Sequence, residues 1–250
     1  MSSVIIGVDE AGRGPAIGPL VVSSICIPSG DLPHLESIGA KDSKAMSARK
    51  RSEVESSIMS ASENRDWRVS RIPISAEEID EERAVKSLNA IEIERFVQAI
   101  LEVSDHDSTG WVHIDLLGSS SSSFSEMMRR KISGLRPGLR VTSGVGMDAL
   151  CAATGAASIL AKVMRDTRIS EISEEVGFDV GSGYPSDSKT LDAIRILSSG
   201  DTPNTNLRWT WSTVDRIWSE RHQSPVPIRT SKGAMVQQPL NSSFSEEGAR

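Results

Sequence analysis

Two adjacent carboxylates, Asp9 and Glu10, end an apolar run that begins at Val4, and the segment Gly12-Arg13-Gly14-Pro15 follows at once. Acids at a strand end beside a backbone with few side chains suit a hard cation and a closely approaching ligand. Asp115 stands in His113-Ile114-Asp115-Leu116-Leu117, where an acid is costly to bury unless it is paired or holds a cation. Asp148 precedes an alanine-rich helical pattern, a position that equally suits a helix N-cap. Within that pattern Ser158, Lys162 and Arg165 recur at i, i+4 and i+7, on one helical face. Such a stripe fits a solvated surface or the wall of a groove. If the acids meet, the chemistry is that of Mg2+ or Mn2+, which prefer oxygen ligands and relieve the repulsion between clustered carboxylates.

The residues alone also admit a blander reading, a tight hairpin with two solvated acids and a salt-bridged Asp115. Two phosphate-binding patterns fail outright. A P-loop needs Lys and a hydroxyl where Arg13 and Gly14 stand, and a dinucleotide fingerprint needs glycine where Ile17 stands. His34, His106, His113 and His222 are scattered, without zinc spacing.

The elements that must position these residues can be read from pattern. Val4 onward and Leu20 to Ile27 are apolar strands around an acidic turn, and Glu10 must lie in that turn to share a site with Asp9, because adjacent strand residues point to opposite faces. Ser47 caps a helix to about Ser60, and Trp67 to Ile74 alternates as a strand. A polar helix starts at Ser75, and Leu88 to Leu101 has helical spacing. Trp111 to Leu117 reads as a buried strand and Ser119 to Ser123 as a low-complexity loop or helix entry. Phe124 to Ile132 reads as a helix, and Leu139 to Thr142 as a short strand. Helices are expected over Ala149 to about Val176, over Ser188 to Leu197 and from Thr213. Strands and helices mix early and helices dominate late, an α/β order. It divides into residues 1–145, residues 146–224 and, where Pro, Gly, Ser and Gln take over from Pro225, a disordered tail over residues 225–250.

With 38% hydrophobic and 25% charged residues the composition is that of an ordinary globular protein. There is no apolar run long enough for a membrane span and no leader pattern, and Cys26 and Cys151 read as buried free thiols. A cytoplasmic protein is expected, with a monomer as the default. The net charge of −6 argues mildly against a nucleic-acid binder. Two basic runs soften that objection, Lys41, Lys44, Arg49, Lys50 and Arg51, then Arg129, Arg130, Lys131, Arg136 and Arg140.

The stretch Val4 to Val22 resembles the first signature of type 2 ribonucleases H, the ribonuclease HII family, G-x-D-E-A-G-R-G-P-x-x-G-P, at every fixed position. Val141 to Asp166 resembles the later signature, an Asp before a helix carrying A-A-S-I-x-A-K-v-x-R-D. Lys41-Asp42-Ser43-Lys44 resembles the D-S-K element. Gly181 to Asp187 resembles G-S-G-Y-P-S-D in its archaeal form, and Arg208, Trp211 and Thr213 resemble a closing R-x-x-W-x-T. There is one departure: Gly146 stands where the family usually has Lys.

The resemblance implies a ribonuclease H-like α/β fold, with a mixed central sheet flanked by helices and a helical C-terminal region. It implies Asp9, Glu10, Asp115 and Asp148 as catalytic acids holding two Mg2+ or Mn2+ ions, with Asp9 bridging them. It implies contacts to substrate from Gly12, Arg13, Gly14, Lys41, Ser43, Lys44, Ser158, Lys162 and Arg165. Tyr184, the single Tyr of the chain, would pack on the sugar at the junction. The activity implied is cleavage of the RNA strand of RNA·DNA hybrids and incision 5′ to a single ribonucleotide in duplex DNA, leaving 3′-hydroxyl and 5′-phosphate. In the tail, Gln237, Leu240 and Phe244 resemble a sliding-clamp-binding box, with Ser243 in place of an aromatic. The rivals are another nuclease of the same fold, such as a DNA resolvase, and a catalytically silent hybrid-binding module.

Overall fold

The computed structural model of the chain describes residues 3–40, 46–116, 122–230 and 233–235. The first two apolar runs form strands β1 (Val4–Ala11) and β2 (Leu20–Pro28), paired antiparallel from Val4↔Pro28 to Ala11↔Val21. Pairing continues through Asp9↔Ser23 and Glu10↔Val22, so both acids belong to the strand and not to the expected turn. After a short helix α1 (Leu32–Ser37), helix α2 (Ala48–Asn64) starts at Ser47, whose hydroxyl accepts from Lys50 N at 3.2 Å. Strand β3 (Arg68–Ile74) adds antiparallel to β2. A capping box of Ser75 and Glu78 opens helix α3 (Ala76–Arg83), and helix α4 (Leu88–Val103) follows with Ser87 as its cap.

Strand β4 (Gly110–Asp115) returns parallel to β1, and helix α5 (Ser122–Leu135) leads to strand β5 (Leu139–Gly144), parallel to β4. The strand order β3-β2-β1-β4-β5 puts β1 at the centre of a mixed sheet. The alanine-rich stretch is two helices, α6 (Met147–Leu150) and α7 (Ala152–Val176), because Cys151 is extended. Helices α8 (Ser188–Leu197) and α9 (Ser212–His222) complete the helical C-terminal region. The tail begins with a hairpin, β6 (Ile228–Thr230) and β7 (Gly233–Met235), so order extends past the Pro225 boundary expected from composition. Arg229 is buried there, 3.4 Å from the Asp80 carboxylate and over the Trp209 ring.

Strand alternation divides the core. Ile6 and Val8 pack with Phe96, Ile100, Ile114 and Met128 under α4 and α5. Ile25 and Ile27 pack on the opposite face with Ile58, Ala153, Ala157 and Leu160 of α2 and α7. A third cluster, including Ile17, Ile169, Ile194, Leu207 and Ile217, ties the helical C-terminal region to the segment after β1. Cys26 and Cys151 are free thiols, the first buried and the second half-buried. Among the described residues no helix is long and apolar enough to cross a membrane.

Gly7 sets the distance between β1 and α7. A Cβ there would lie 2.0 Å from the carbonyl carbon of Ala153, so the helix backbone rests directly on the strand. We expect Gly7→Ala to lower stability by about 2 kcal/mol or more, since overpacking costs about 1–3 kcal/mol and the obstacle here is backbone. Gly134, in α5, has nothing within 4 Å of its Cβ position. Gly134→Ala should therefore be neutral or stabilising by up to about 1 kcal/mol. Urea midpoints of the two variants check this, and equal midpoints would refute the close approach.

Candidate active site

Strands β1 and β4 and helix α6 bring three acids together. Asp9, Asp115 and Asp148 are buried, and each offers a carboxylate oxygen within 4.8 Å of the others. Asp9 shares the α7 face of β1 with Gly7, which brings α7 close enough for the Ser158 hydroxyl to bond the Asp9 carboxylate. Asp9 Oδ1 also accepts from Glu10 N at 2.8 Å, and Asp115 Oδ1 accepts from Met147 N at 2.7 Å. Burial pushes the Asp9 carboxyl from 3.8 up to about 7, with Asp115 and Asp148 adding to the rise and Ser158 opposing it. Buried oxygen donors in mutual repulsion are a fit for a divalent cation, whose charge offsets both the burial and the repulsion.

Glu10 leaves the opposite face of β1 but lines the same cleft, where its carboxyl still feels Asp9 and Asp115. Its carboxylate is outside the three-acid group and is influenced by Glu92 and Arg13 on the α4 side. Burial, then Asp9 and Glu92, holds it well above the ordinary carboxylate range. Glu92 is itself buried and takes the Arg13 guanidinium, which also bonds Asn89. Glu92 was not among the candidates from sequence, although the signal existed. It interrupts the apolar stripe Leu88, Phe96, Ile100 at helical spacing.

The acids open into a cleft of about 690 Å³, lined among others by Asp9, Glu10, Asp115, Ser158, Lys162 and Tyr184. One wall is Gly12-Arg13-Gly14. Tyr184 packs against it, with a Cβ on Gly14 falling 3.4 Å from the ring, and is exposed to solvent rather than placed in the core. Helix α7 lines the cleft as well with Ser158, Lys162 and Arg165, so the helical stripe faces the groove. Arg165 is buried, bonds Ser182 O and sits 5.2 Å from the Tyr184 ring centroid. Asp166 joins Arg165 and Arg51, each at 3.2 Å, and Arg51 thereby enters the cleft from the first basic run.

Asp148 is not a cap. The N-cap of α6 is Gly146, at φ 77°, and Asp148 lies within the helix with its carboxylate in the acid group. The departure from the family's Lys thus falls on a left-handed position that glycine adopts without strain. Lys41, Ser43 and Lys44 lie outside the described residues, as do Gln237, Leu240 and Phe244.

Stability against pH tests the electrostatics of this group. A carboxyl raised to about 7 binds its proton more tightly in the folded chain, so its contribution is full below the unfolded value and is lost as pH rises through 7. The metal-free chain should therefore melt lower at about pH 8 than at about pH 6, and Asp9→Asn should flatten that slope. Mn2+ should raise the midpoint of the wild type at the higher pH and leave that of Asp9→Asn in place. Parallel pH slopes for the two proteins would contradict the assignment.

The ribonuclease HII family model matches residues 6–214. A ribonuclease HII of Methanococcus maripaludis is 34% identical over 225 residues, 89% of this chain and 90% of its own. The crystal structure of ribonuclease H2 from Pyrococcus horikoshii superposes with a TM-score of 0.74 at 31% identity, covering 88% of this chain and all of that one. The ribonuclease HII in the PCNA complex of Archaeoglobus fulgidus gives 0.71 at 32% identity, covering 85% and 96%. Matched along almost its whole folded length, the chain belongs to the ribonuclease HII family, metal-dependent endonucleases that hydrolyse the RNA of RNA·DNA hybrids.

Proposed function

We propose that this chain also incises duplex DNA 5′ to a single embedded ribonucleotide, using two divalent ions, Mg2+ or Mn2+, and leaving 3′-hydroxyl and 5′-phosphate. The observation that supports this reading most is the shared cleft, lined both by Asp9 and Asp115 of the three-acid group and by the glycine-rich wall against which Tyr184 packs.

Asp9, Asp115 and Asp148 are the proposed ligands, with Glu10 as the fourth acid. When bound, a pair of ions supplies an activated water and stabilises the departing oxygen of an in-line displacement. The chain's own residues do the rest. Ser158 holds the Asp9 carboxylate in place, and Lys162 and Arg165 present positive charge to the phosphate backbone. Gly12 and Gly14 let the backbone approach the ribose, where the 2′-hydroxyl separates RNA from DNA. Tyr184 would pack on the sugar at the junction.

A labelled DNA duplex with one ribonucleotide tests the proposal, beside an all-DNA control and Asp9→Asn. A single nick 5′ to the ribonucleotide, lost in the variant, is the expected result. Equal cutting of the control would point to another nuclease of this fold, and binding without product to a silent module. Tyr184→Phe should lower the preference for the single ribonucleotide, and unchanged selectivity would remove Tyr184 from the site.

The tail carries a separate proposal. A clamp-binding role for Gln237, Leu240 and Phe244 is supported by the PCNA complex of the Archaeoglobus fulgidus relative. The full chain should retain a sliding clamp in a pull-down, and residues 1–235, which keep the Arg229 anchor, should not. Equal retention would exclude the tail.

A further inference from the structure

Residues 206–211 close the glycine-rich wall from behind, and Arg208 is the centre of that contact. It is fully buried. Its Nε donates to Gly18 O at 2.9 Å, its Nη1 to Arg13 O at 3.0 Å and its Nη2 to Gly12 O at 2.6 Å. Trp211 lies 4.8 Å from the guanidinium and donates its Nε1 to Gly14 O at 3.2 Å. Every one of these bonds goes to a backbone carbonyl. A buried guanidinium that meets no carboxylate among the described residues is an expensive way to fill space, and an apolar side chain of similar length would serve packing better. Burial brings Arg208 down to about 9, which leaves it charged at neutral pH.

Peptide geometry gives this arrangement a consequence. The peptides here are trans, so each N–H points opposite to the carbonyl of the residue before it. Fixing the carbonyls of Gly12 and Arg13 onto Arg208 turns the N–H groups of Arg13 and Gly14 away from it, toward the cleft that both residues line. Among the described residues neither N–H meets an acceptor. Gly12 has φ 89° and Gly18 φ 84°, conformations that reverse readily unless something holds them.

We propose that Arg208 is a positioning residue for ribose discrimination, holding the N–H groups of Arg13 and Gly14 toward the 2′-hydroxyl at the cleavage site. This inference rests on the reading that the glycine-rich wall meets the ribose. Arg208 touches neither substrate nor cation and acts through the loop.

Arg208→Lys keeps the charge but cannot span three carbonyls. The measurement is kcat/KM on duplexes carrying one ribonucleotide or one 2′-fluoro nucleotide, with Mn2+ affinity measured in parallel. Arg208→Lys should lose about tenfold or more of the preference for the 2′-hydroxyl, mainly in kcat/KM for the ribonucleotide, while Mn2+ affinity stays within about twofold. If lysine at 208 does not fold, Trp211→Phe carries the test, since it keeps a ring over the guanidinium and removes the bond to Gly14 O. It should move selectivity the same way. Undiminished selectivity in the folded variant, or loss of Mn2+ binding together with activity, would overturn the inference. A wild-type chain indifferent to the 2′ position would instead overturn the proposed function, a result distinguishable from either.

Discussion

The site depends on the direct contact of the α7 backbone with β1 at Gly7. One missing Cβ lets the helix lie against the central strand, and Ala152, Ala153, Ala156 and Ala157 continue the close fit. Two residues along the strand, that proximity brings Ser158 to Asp9. Further along the helix it brings Lys162 and Arg165 into the lining of the cleft. Gly155 repeats the device on the other side of α7, where a Cβ would lie 2.5 Å from Ala40 O and 2.8 Å from Asp148 O. The acids are thus set by backbone-to-backbone packing, which has fewer ways to relax than side-chain packing.

Precision of that kind is needed because the acids oppose one another. Burial and mutual repulsion raise Asp9 toward neutrality, so the metal-free site is electrostatically strained, a condition common at functional centres. Three cations of the cleft have carboxylate partners of their own. Arg13 is held by Glu92 and Asn89, and Arg51 and Arg165 share Asp166. Their placement reconciles an acidic chain with a nucleic-acid substrate. Net charge of −6 is a property of the whole surface, whereas phosphates meet only the local field of the cleft.

Much of this was legible in the sequence where a residue type has one physical use. The apolar runs, the Ser47 cap, the helix start at Ser75 and the strand around Asp115 all follow from period and capping chemistry. The α7 stripe was visible as spacing, but which way it faced was not. The turn between the strands was misjudged because pairing outlasts the apolar pattern: Glu10 is polar yet opposite Val22 in register, and alternation sends it to the α4 side. Asp148 has the sequence context of a cap, and only the left-handed Gly146 and the extended Cys151 reveal a separate helix. The tail's composition masked Arg229, whose partner Asp80 lies far away in the chain.

That last pairing explains how a buried arginine at 208 can be accommodated. Residues 204–211 contain neither helix nor strand, yet they are fixed from three sides. The loop after β1 pairs with them through Gly18 N to Asn206 O and Arg208 N to Ala16 O, both at 2.9 Å. Asp80 of α3 accepts from Trp209 N at 2.7 Å and from Thr210 N at 3.1 Å. Arg229 covers the third side, donating to Thr205 O at 3.2 Å and Leu207 O at 2.9 Å. A segment so held has little freedom left to lose, and the entropy of ordering the Arg208 side chain is the main cost that remains. The helical C-terminal region therefore works as the backing of the glycine-rich wall. Arg229 secures that backing from the root of the tail, which ties residues at the two ends of the chain to the geometry of one cleft.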